Sequence, residues 1–385
     1  MPLPLKYNFR NVVVRWITAG MTAIGIAFVI MIFVMLFAMG IGMERTLVET
    51  GNPLNMIVLR KGATETTSGL DREKVADIAA LDGIAKDAQG EALLSAELVV
   101  VANHAKAAGQ KANLALRGAG PRSREIRGNI KLIEGEWFKP GLGQLVAGKG
   151  AADRFADLKV GDQPFIRGRK WTVVGKFEAG GQAYESEVWG DIDDLKTQFK
   201  REFSSVIVRV KRPEDRDLLT ATIQENKRIQ LEAKSHAAYY KDQNMGAQMM
   251  KAMGFIIGLV LSIGAIFGAA NTMYAAVASR KREIATLRVL GFGSGSIWFS
   301  FMLEAAFLGL VGGVLGSIFA FVVFDGMTSG TANWETFSEL AFQFRVTPML
   351  MLIGVVLAVV MGVAGGFFPA WRASRTTIAH ALRGM

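Results

Sequence analysis

Hydrophobic positions along this chain gather into four long runs. One lies near the N-terminus and three follow one another near the C-terminus, with a mixed polar stretch, residues 44–251, after the first run. Trp16 to Met43, Ala252 to Ser279 and Val346 to Trp371 contain no charged side chain, and Ala305 to Phe324 is bounded by Glu304 and Asp325. A hydrocarbon core of about 30 Å takes about 20 apolar residues as a helix, so all four runs are long enough to cross it. The pattern predicts an α+β membrane protein with four transmembrane helices, 16–43, 252–279, 297–324 and 347–371. A large α+β domain, 44–251, is inserted between the first and the second. Short segments remain at 1–15, 280–296, 325–346 and 372–385.

Charge sets the expected orientation. The chain is 51% hydrophobic yet carries 44 basic and 34 acidic residues, so its charges are segregated. Lys6, Arg10 and Arg15 precede the first run, Arg280, Lys281, Arg282 and Arg288 separate the second from the third, and Arg372, Arg375 and Arg383 follow the fourth. The loop between the third and fourth holds Asp325, Glu335, Glu339 and Arg345. Short loops rich in Lys and Arg stay in the cytoplasm, whereas long ones cross largely regardless of charge. Both termini are therefore expected in the cytoplasm and 44–251 outside it, in a multi-pass protein of a bacterial cytoplasmic (inner) membrane. The first run exceeds the roughly 7–15 residues of a signal peptide and no A-x-A site follows, so it reads as an uncleaved anchor. The absence of cysteine excludes disulfides and thiol chemistry. The net charge of +10 comes without basic–aromatic interleaving, so nucleic acid is not an expected partner.

Within the inserted domain, Asn55 to Arg60, Ser95 to Val101 and Ser204 to Lys211 read as strands. Asp71 to Leu81 reads as a helix capped by Asp71. Gln163 to Arg167 and Lys170 to Phe177 read as a hairpin across Gly168-Arg169, and Pro213 opens a helix reaching about Asn226. Strands interleaved with helices on both flanks point to split βαβ units. Spans of 28 residues reach about 42 Å, more than the hydrocarbon needs. The first and second are read as helices continuing outward as a stalk, the second through Ala237 to Lys251, with tilt in the membrane as the alternative that length alone allows.

Signatures of catalysis fail one after another. Gly143 to Gly150 has G-x-x-x-x-G-K spacing, but Gly150 stands where a phosphate loop needs Ser or Thr for magnesium, so it reads as a turn between strand and helix. His104, His236 and His380 are scattered, and no metal site is expected. Neither a nucleophile elbow nor a carboxylate pair stands out. The chain is expected to be non-catalytic and to bind no cofactor itself. What stands out is Ser279 to Phe292. Ile284, Leu287 and Leu290 or Gly291 recur at helical spacing with Arg282, Glu283 and Arg288 between them, and Gly291 sits where a helix would end. A basic loop obeying the positive-inside rule accounts for Arg280 to Arg282, but not for a patterned helix ending in glycine.

These residues resemble the MacB/FtsX-like permeases of ABC transporters, which include the LolC and LolE lipoprotein-release subunits. Arg282-Glu283-Ile284 with Leu287-Arg288 to Gly291 is similar to that family's coupling segment. Glu304-Ala305 with Gly312-Gly313 and Gly316 is similar to its third span, and Pro369-Ala370 through Arg383 to its C-terminal motif. Phe9-Arg10-Asn11 with Thr18 to Ile26 is similar to its N-terminal elbow and first span. Val146 to Gly148, Leu158 to Asp162 and Trp171 to Gly175 are similar to its outer domain. Lys149-Gly150 and Glu136-Trp137 mark no substrate subgroup, and the ATP-binding domain fused to MacB has no counterpart in this sequence.

The resemblance implies a permease subunit that transmits ATP-driven motion of a separate cytoplasmic ABC ATPase dimer, which binds ATP and Mg, to the outer domain. The cargo would be a peptide, drug, lipid or lipoprotein. The alternative is an FtsX-like mechanical signalling protein that activates an outer-face enzyme and transports nothing. Expected partners are the ATPase, a second permease copy or homologue, membrane lipid, and an accessory protein such as a membrane-fusion protein. Arg282, Glu283, Ile284, Leu287, Arg288, Leu290 and Gly291 are the candidate ATPase contacts. Gly309, Gly312, Gly313 and Gly316 allow close helix packing, within one subunit or between two. The carboxylate Glu304, close to the bilayer, reads as functional by default, or structurally as a cap or an arginine partner.

Overall fold

The computed structural model describes residues 16–225, 230–333, 336 and 338–375. The expected elbow 1–15, the tail from 376 with His380 and Arg383, Asn226 and Glu335 lie outside the described residues. The chain forms two compact units, one of 42–247 with 328–343 and one of the rest.

Helix α1 (Trp16–Thr50) passes the expected end at Met43 and continues for two more turns. Then come β1 (Asn55–Arg60), α2 (Arg72–Ala79), β2 (Leu94–Ala105), β3 (Lys111–Ala119), α3 (Ser123–Arg127), β4 (Lys131–Gly135), β5 (Gln144–Gly148) and α4 (Lys149–Ala152). Next are β6 (Phe165–Ile166), β7 (Arg169–Lys170), β8 (Thr172–Glu178), β9 (Glu187–Asp191), α5 (Ile192–Phe199), β10 (Ser205–Arg209), α6 (Asp215–Glu225), β11 (Leu231–Ser235) and α7 (His236–Asp242). Asp71 caps α2 by accepting from the Lys74 amide at 3.0 Å. Nine strands form one sheet in the order β11-β1-β10-β2-β3-β9-β5-β8-β4. β1-α2-β2 straddles β10, and β10-α6-β11 straddles β1, all neighbours being antiparallel, so two interlocked split βαβ units make one half of the sheet. Ile78 of α2 and Leu219 and Ile223 of α6 cover Met56, Val58, Val206 and Val208 in its core. The other half packs a second core around Leu114, Leu145, Trp171 and Val188.

Several expectations need correction. The ribbon β6–β7 turns at Arg167-Gly168, not Gly168-Arg169, because both residues there have positive φ (57° and 85°), as a type I′ turn requires. Its second arm ends at Lys170, and β8 joins the main sheet beside β4 and β5. The phosphate-loop-like spacing is a strand rather than a turn, since β5 fills 144–148. The helix after Pro213 begins at Asp215. Ala237 to Lys251 is not one helix: α7 ends at Gln243, and α8 (Met245–Ser279) starts afresh. The loop 325–346 contains a hairpin of β12 (Thr328–Ala332) and β13 (Glu339–Gln343), whose Glu339 pairs with Lys106 at 2.9 Å.

The remaining helices of the other unit are α9 (Lys281–Val289), α10 (Ser294–Phe324) and α11 (Pro348–Ser374). Thr347 caps α11 through the Leu350 amide, and Pro348 opens it. α1, α8, α10 and α11 are long and apolar enough to cross a membrane. The four glycines of α10 divide between two faces. Gly309 and Gly313 meet Val355, Ala358 and Val359 of α11, while Gly312 and Gly316 meet Ala23, Ile26 and Ala27 of α1. A methyl group at Gly309 would lie 2.5 Å from the Ala358 carbonyl, and one at Gly312 2.8 Å from that of Ala23. All four thus face other helices of the same subunit. Gly312→Leu or Gly313→Leu should cost about 1–3 kcal/mol or more through overpacking. Gly25→Leu on α1, exposed and with nothing within 4 Å, should not. Thermal unfolding of the detergent-solubilised variants checks the contrast.

Candidate coupling site

The segment Ser279 to Phe292 builds its helix from both ends. Glu283 sits in the first turn of α9, where an acidic side chain suits the helix dipole. At the other end the Gly291 amide donates to Arg288 O at 3.2 Å and the Phe292 amide to Leu287 O at 3.1 Å. With Gly291 at φ 90°, this is a Schellman cap, a conformation that an L side chain there would strain.

Arg280, Ile284 and Arg288, spaced four apart, form the face of α9 turned to its own helices. Arg280 Nη1 donates to Glu304 Oε2 at 2.8 Å, and its Nε lies 3.3 Å from Glu283 Oε2. Ile284, 2% exposed, packs in a cluster with Met273, Val277, Ile297 and Phe301. Arg288 Nη1 donates to Ser294 Oγ at 2.6 Å and to the Ser374 carbonyl at 2.8 Å, the latter capping the end of α11. The opposite face carries exposed Lys281, Arg282, Thr286, Val289, Leu290 and Gly291, with Leu290 69% exposed.

This arrangement corrects the expected apolar stripe. Ile284 is buried within the chain and Leu287 is half-buried beside it, so neither is a free knob; Glu283 is half-buried next to Arg280. Among the candidate contacts, Arg282, Leu290 and Gly291 remain outward, joined by Val289, which the sequence reading passed over. Glu304 is paired with Arg280, and the arginine-partner alternative describes it. The spacing of Arg280 four residues before Ile284 and eight before Arg288 was the available signal for the inner face.

A second constellation escaped sequence reading. In the inserted domain, Arg117 of β3 is 1% exposed and reaches Glu65 at 2.8 Å, Glu97 at 2.7 Å and Glu187 at 2.7 Å. Arg127 also pairs with Glu97 and lies 4.7 Å from the Tyr184 ring centre. Burial alone would raise the Glu97 carboxyl, but the guanidiniums of Arg127 and Arg117 outweigh it and hold the group down at about 2. Every carboxylate here is spent on an arginine, so the cluster is a structural cross-brace between strands. The signal was a charge inside each apolar strand run, Glu97 before Leu98 to Val101 and Arg117 after Leu114 to Leu116. His104 contacts the Ala156 carbonyl at 3.0 Å and His236 the Tyr184 hydroxyl at 3.1 Å. Among the described residues no group of three His, Cys, Asp or Glu side chains is placed to hold a metal ion.

The fold and the four long apolar helices define a multi-pass membrane protein with a large inserted α+β domain. Residues 19–226 match the family model described as MacB-like periplasmic core domain, and residues 255–378 match the FtsX-like permease C-terminal model. The chain belongs to the MacB/FtsX-like permease family. It is 25% identical over 264 residues to an uncharacterized ABC transporter permease of Methanocaldococcus jannaschii, covering 65% of each chain. It is 27% identical over 242 residues to the macrolide export ATP-binding/permease protein MacB of Hahella chejuensis, covering 59% of this chain and 35% of that protein. The chain thus spans less than two thirds of the length of either relative. The periplasmic region of MacB from Actinobacillus actinomycetemcomitans superimposes with a TM-score of 0.38 at 9% identity, covering 51% of this chain and 94% of that structure.

Proposed function

We propose that this chain is the permease subunit of an ABC exporter, lying in the inner membrane with both termini and α9 on the cytoplasmic side and the inserted domain outside. It receives ATP-driven motion from a separate ATPase dimer and passes it to the outer domain, which exports or extracts a peptide, drug, lipid or lipoprotein. The carrying observation is α9, a short capped helix whose inner face is fixed to its own bundle and whose outer face offers Val289 and Leu290 beside Lys281 and Arg282. An amphipathic helix of this kind fits an apolar groove with an acidic rim on the partner. Sidedness is supported by the basic residues gathered at Arg280 to Arg288 and Arg372 to Arg375. ATP and Mg belong to the partner in this reading, and the chain itself is not an enzyme.

A second copy or homologue of the chain completes the conduit. α8 supports this choice of partner face, because only 22% of its most apolar window is covered, against 39% in each other span. Its open side carries Gly264, Gly268, Asn271, Ala275 and Ala278 in a line, all exposed. Asn271 lies about 9 Å from the middle of the expected span. An amide at that depth demands a hydrogen-bonding partner that lipid does not supply. An accessory protein outside, such as a membrane-fusion protein, fits the size of the inserted domain.

Affinity purification of the full chain from detergent-solubilised membranes tests the reading. A distinct ATPase chain is expected to co-purify, with ATP hydrolysis present only when it does. Hydrolysis by this chain alone, or its isolation from a cell containing all candidate ATPases with none attached, would contradict the proposal. If an outer-face hydrolase co-purifies and no cargo moves in reconstituted vesicles, the signalling alternative replaces export.

A further inference from the structure

We propose that the Arg280–Glu304 pair, with Arg288 at the far end of the same helix, is a positioning device that makes α9 and α10 move as one piece. The proposal rests on the reading of α9 as the ATPase seat and names how a push on it reaches the membrane-spanning helices.

The need for such a device lies in the link between α9 and α10. The link, residues 290–293, contains Gly291 and Gly293, and nothing lies within 4 Å of where a side chain would begin at either. Such a link is soft. The nine residues of α9 are also fewer than an isolated helix needs to hold together in water. A push delivered to α9 would bend the glycine link before it moved α10.

The side chains bypass that link. Glu304 is the eleventh residue of α10, about 15 Å along the helix from its start. Arg280, at the other end of α9 from the glycines, reaches it with both partners buried, each side chain 8% exposed. The guanidinium is held further by Glu283 at 3.3 Å and by the Phe301 ring, whose centre is 5.5 Å away. At the glycine end, Arg288 ties α9 to the first residue of α10 and to the last carbonyl of α11, that of Ser374. Ile284 fills the space between the two arginines against Ile297 and Phe301. Force entering the outer face of α9 therefore has two charged exits and one apolar contact into α10 and α11. Removing the deeper charged exit leaves α9 attached but free to tilt about its glycine end. Glu304 is paired with Arg280 and acts through it.

The test uses the full chain in nanodiscs with its co-purified ATPase, exploiting the absence of native cysteine. Spin labels go on Leu287→Cys, half-buried on α9 and outside its outward face, and Val322→Cys, exposed at the far end of α10, in one labelled copy diluted into unlabelled copies. The parent should keep one label-to-label distance without nucleotide and after trapping with ATP and vanadate. Glu304→Gln should retain ATPase co-purification and an unchanged KM for ATP, yet gain a second, nucleotide-dependent distance and lose permease-stimulated turnover. A purely structural role would lower protein yield without creating a nucleotide-dependent distance. Should Glu304→Gln fail to fold, Arg288→Met frees the other end and the same distance decides. One unchanged distance in the folded variant with normal turnover overturns the device while leaving the ATPase seat intact. Failure of the parent to bind any ATPase removes the seat itself.

Discussion

Methionine in place of Arg117 is expected to lower the unfolding temperature of the inserted domain by many degrees, although no part of the proposed coupling surface is touched. Arg117 is 1% exposed and holds Glu65, Glu97 and Glu187 together from three directions. Removing one member of a buried charge cluster costs roughly 3–5 kcal/mol, because the partners stay buried without compensation. Whole domains are stable by only about 5–15 kcal/mol. Here Glu65 and Glu187 would lose their arginine at once, while Glu97 would keep Arg127. The same cluster sets an acid limit. Glu97 stays ionised in the fold down to about 2, below its ordinary value of 4.5, so its contribution is complete above pH 4.5 and lost as pH falls toward 2. Thermal unfolding of the full protein, followed by fluorescence of the buried Trp171 and Trp189, should show both effects. An Arg117→Met variant within two or three degrees of the parent would show that the cluster does not brace the domain.

Aspartate at Leu290 should release the ATPase while leaving the permease folded. Leu290 is 69% exposed, so the chain itself gains no buried charge, and surface changes of this kind stay within about 0.5 kcal/mol. In the complex the same carboxylate would sit unpaired in an apolar groove, where loss of an anchor costs about 2–4 kcal/mol, or roughly 30- to 700-fold in affinity. Ile284→Asp is the necessary contrast. Ile284 is 2% exposed against Met273, Ile297 and Phe301, and a charge there should lower the unfolding temperature before any partner is considered. Co-purified ATPase and melting temperature, measured on both variants, separate the two faces of α9. Loss of the ATPase from Ile284→Asp at normal stability, with Leu290→Asp still bound, would reverse the assignment.

The sequence made the membrane architecture legible because uncharged runs of this length have one physical solution, and the split βαβ half of the domain because its strands begin and end at clear breakers. The outward face of α9 was misread for a specific reason. Ile284, Leu287 and Leu290 share helical spacing, but hydrophobicity alone does not tell an inner face from an outer one. The inner face is fixed by Arg280 and Arg288, whose charges read as positive-inside decoration until Glu304 and the end of α11 are seen beside them. The glycines of α10 were equally ambiguous: small residues permit close approach, and only the positions of α1 and α11 show which neighbour takes it. The helix break at Gln243 was hidden because neither Gln243 nor Asn244 is a strong helix breaker. The Glu65–Glu97–Arg117–Arg127–Glu187 cluster could not be assembled from the sequence, since its members lie far apart and only Glu97 and Arg117 stand out, as charges inside apolar strand runs.

The central claim is that the outer face of α9 is where the ATPase sits. A photo-crosslinking side chain placed singly at Arg282, Ile284, Thr286 and Leu290, irradiated in intact cells, reports contact without purification. Adducts of this chain with an ATPase from Arg282, Thr286 and Leu290, and none from Ile284, are the predicted result. An adduct from Ile284 alone, or no ATPase adduct from Leu290 in cells where the transporter is active, would contradict it.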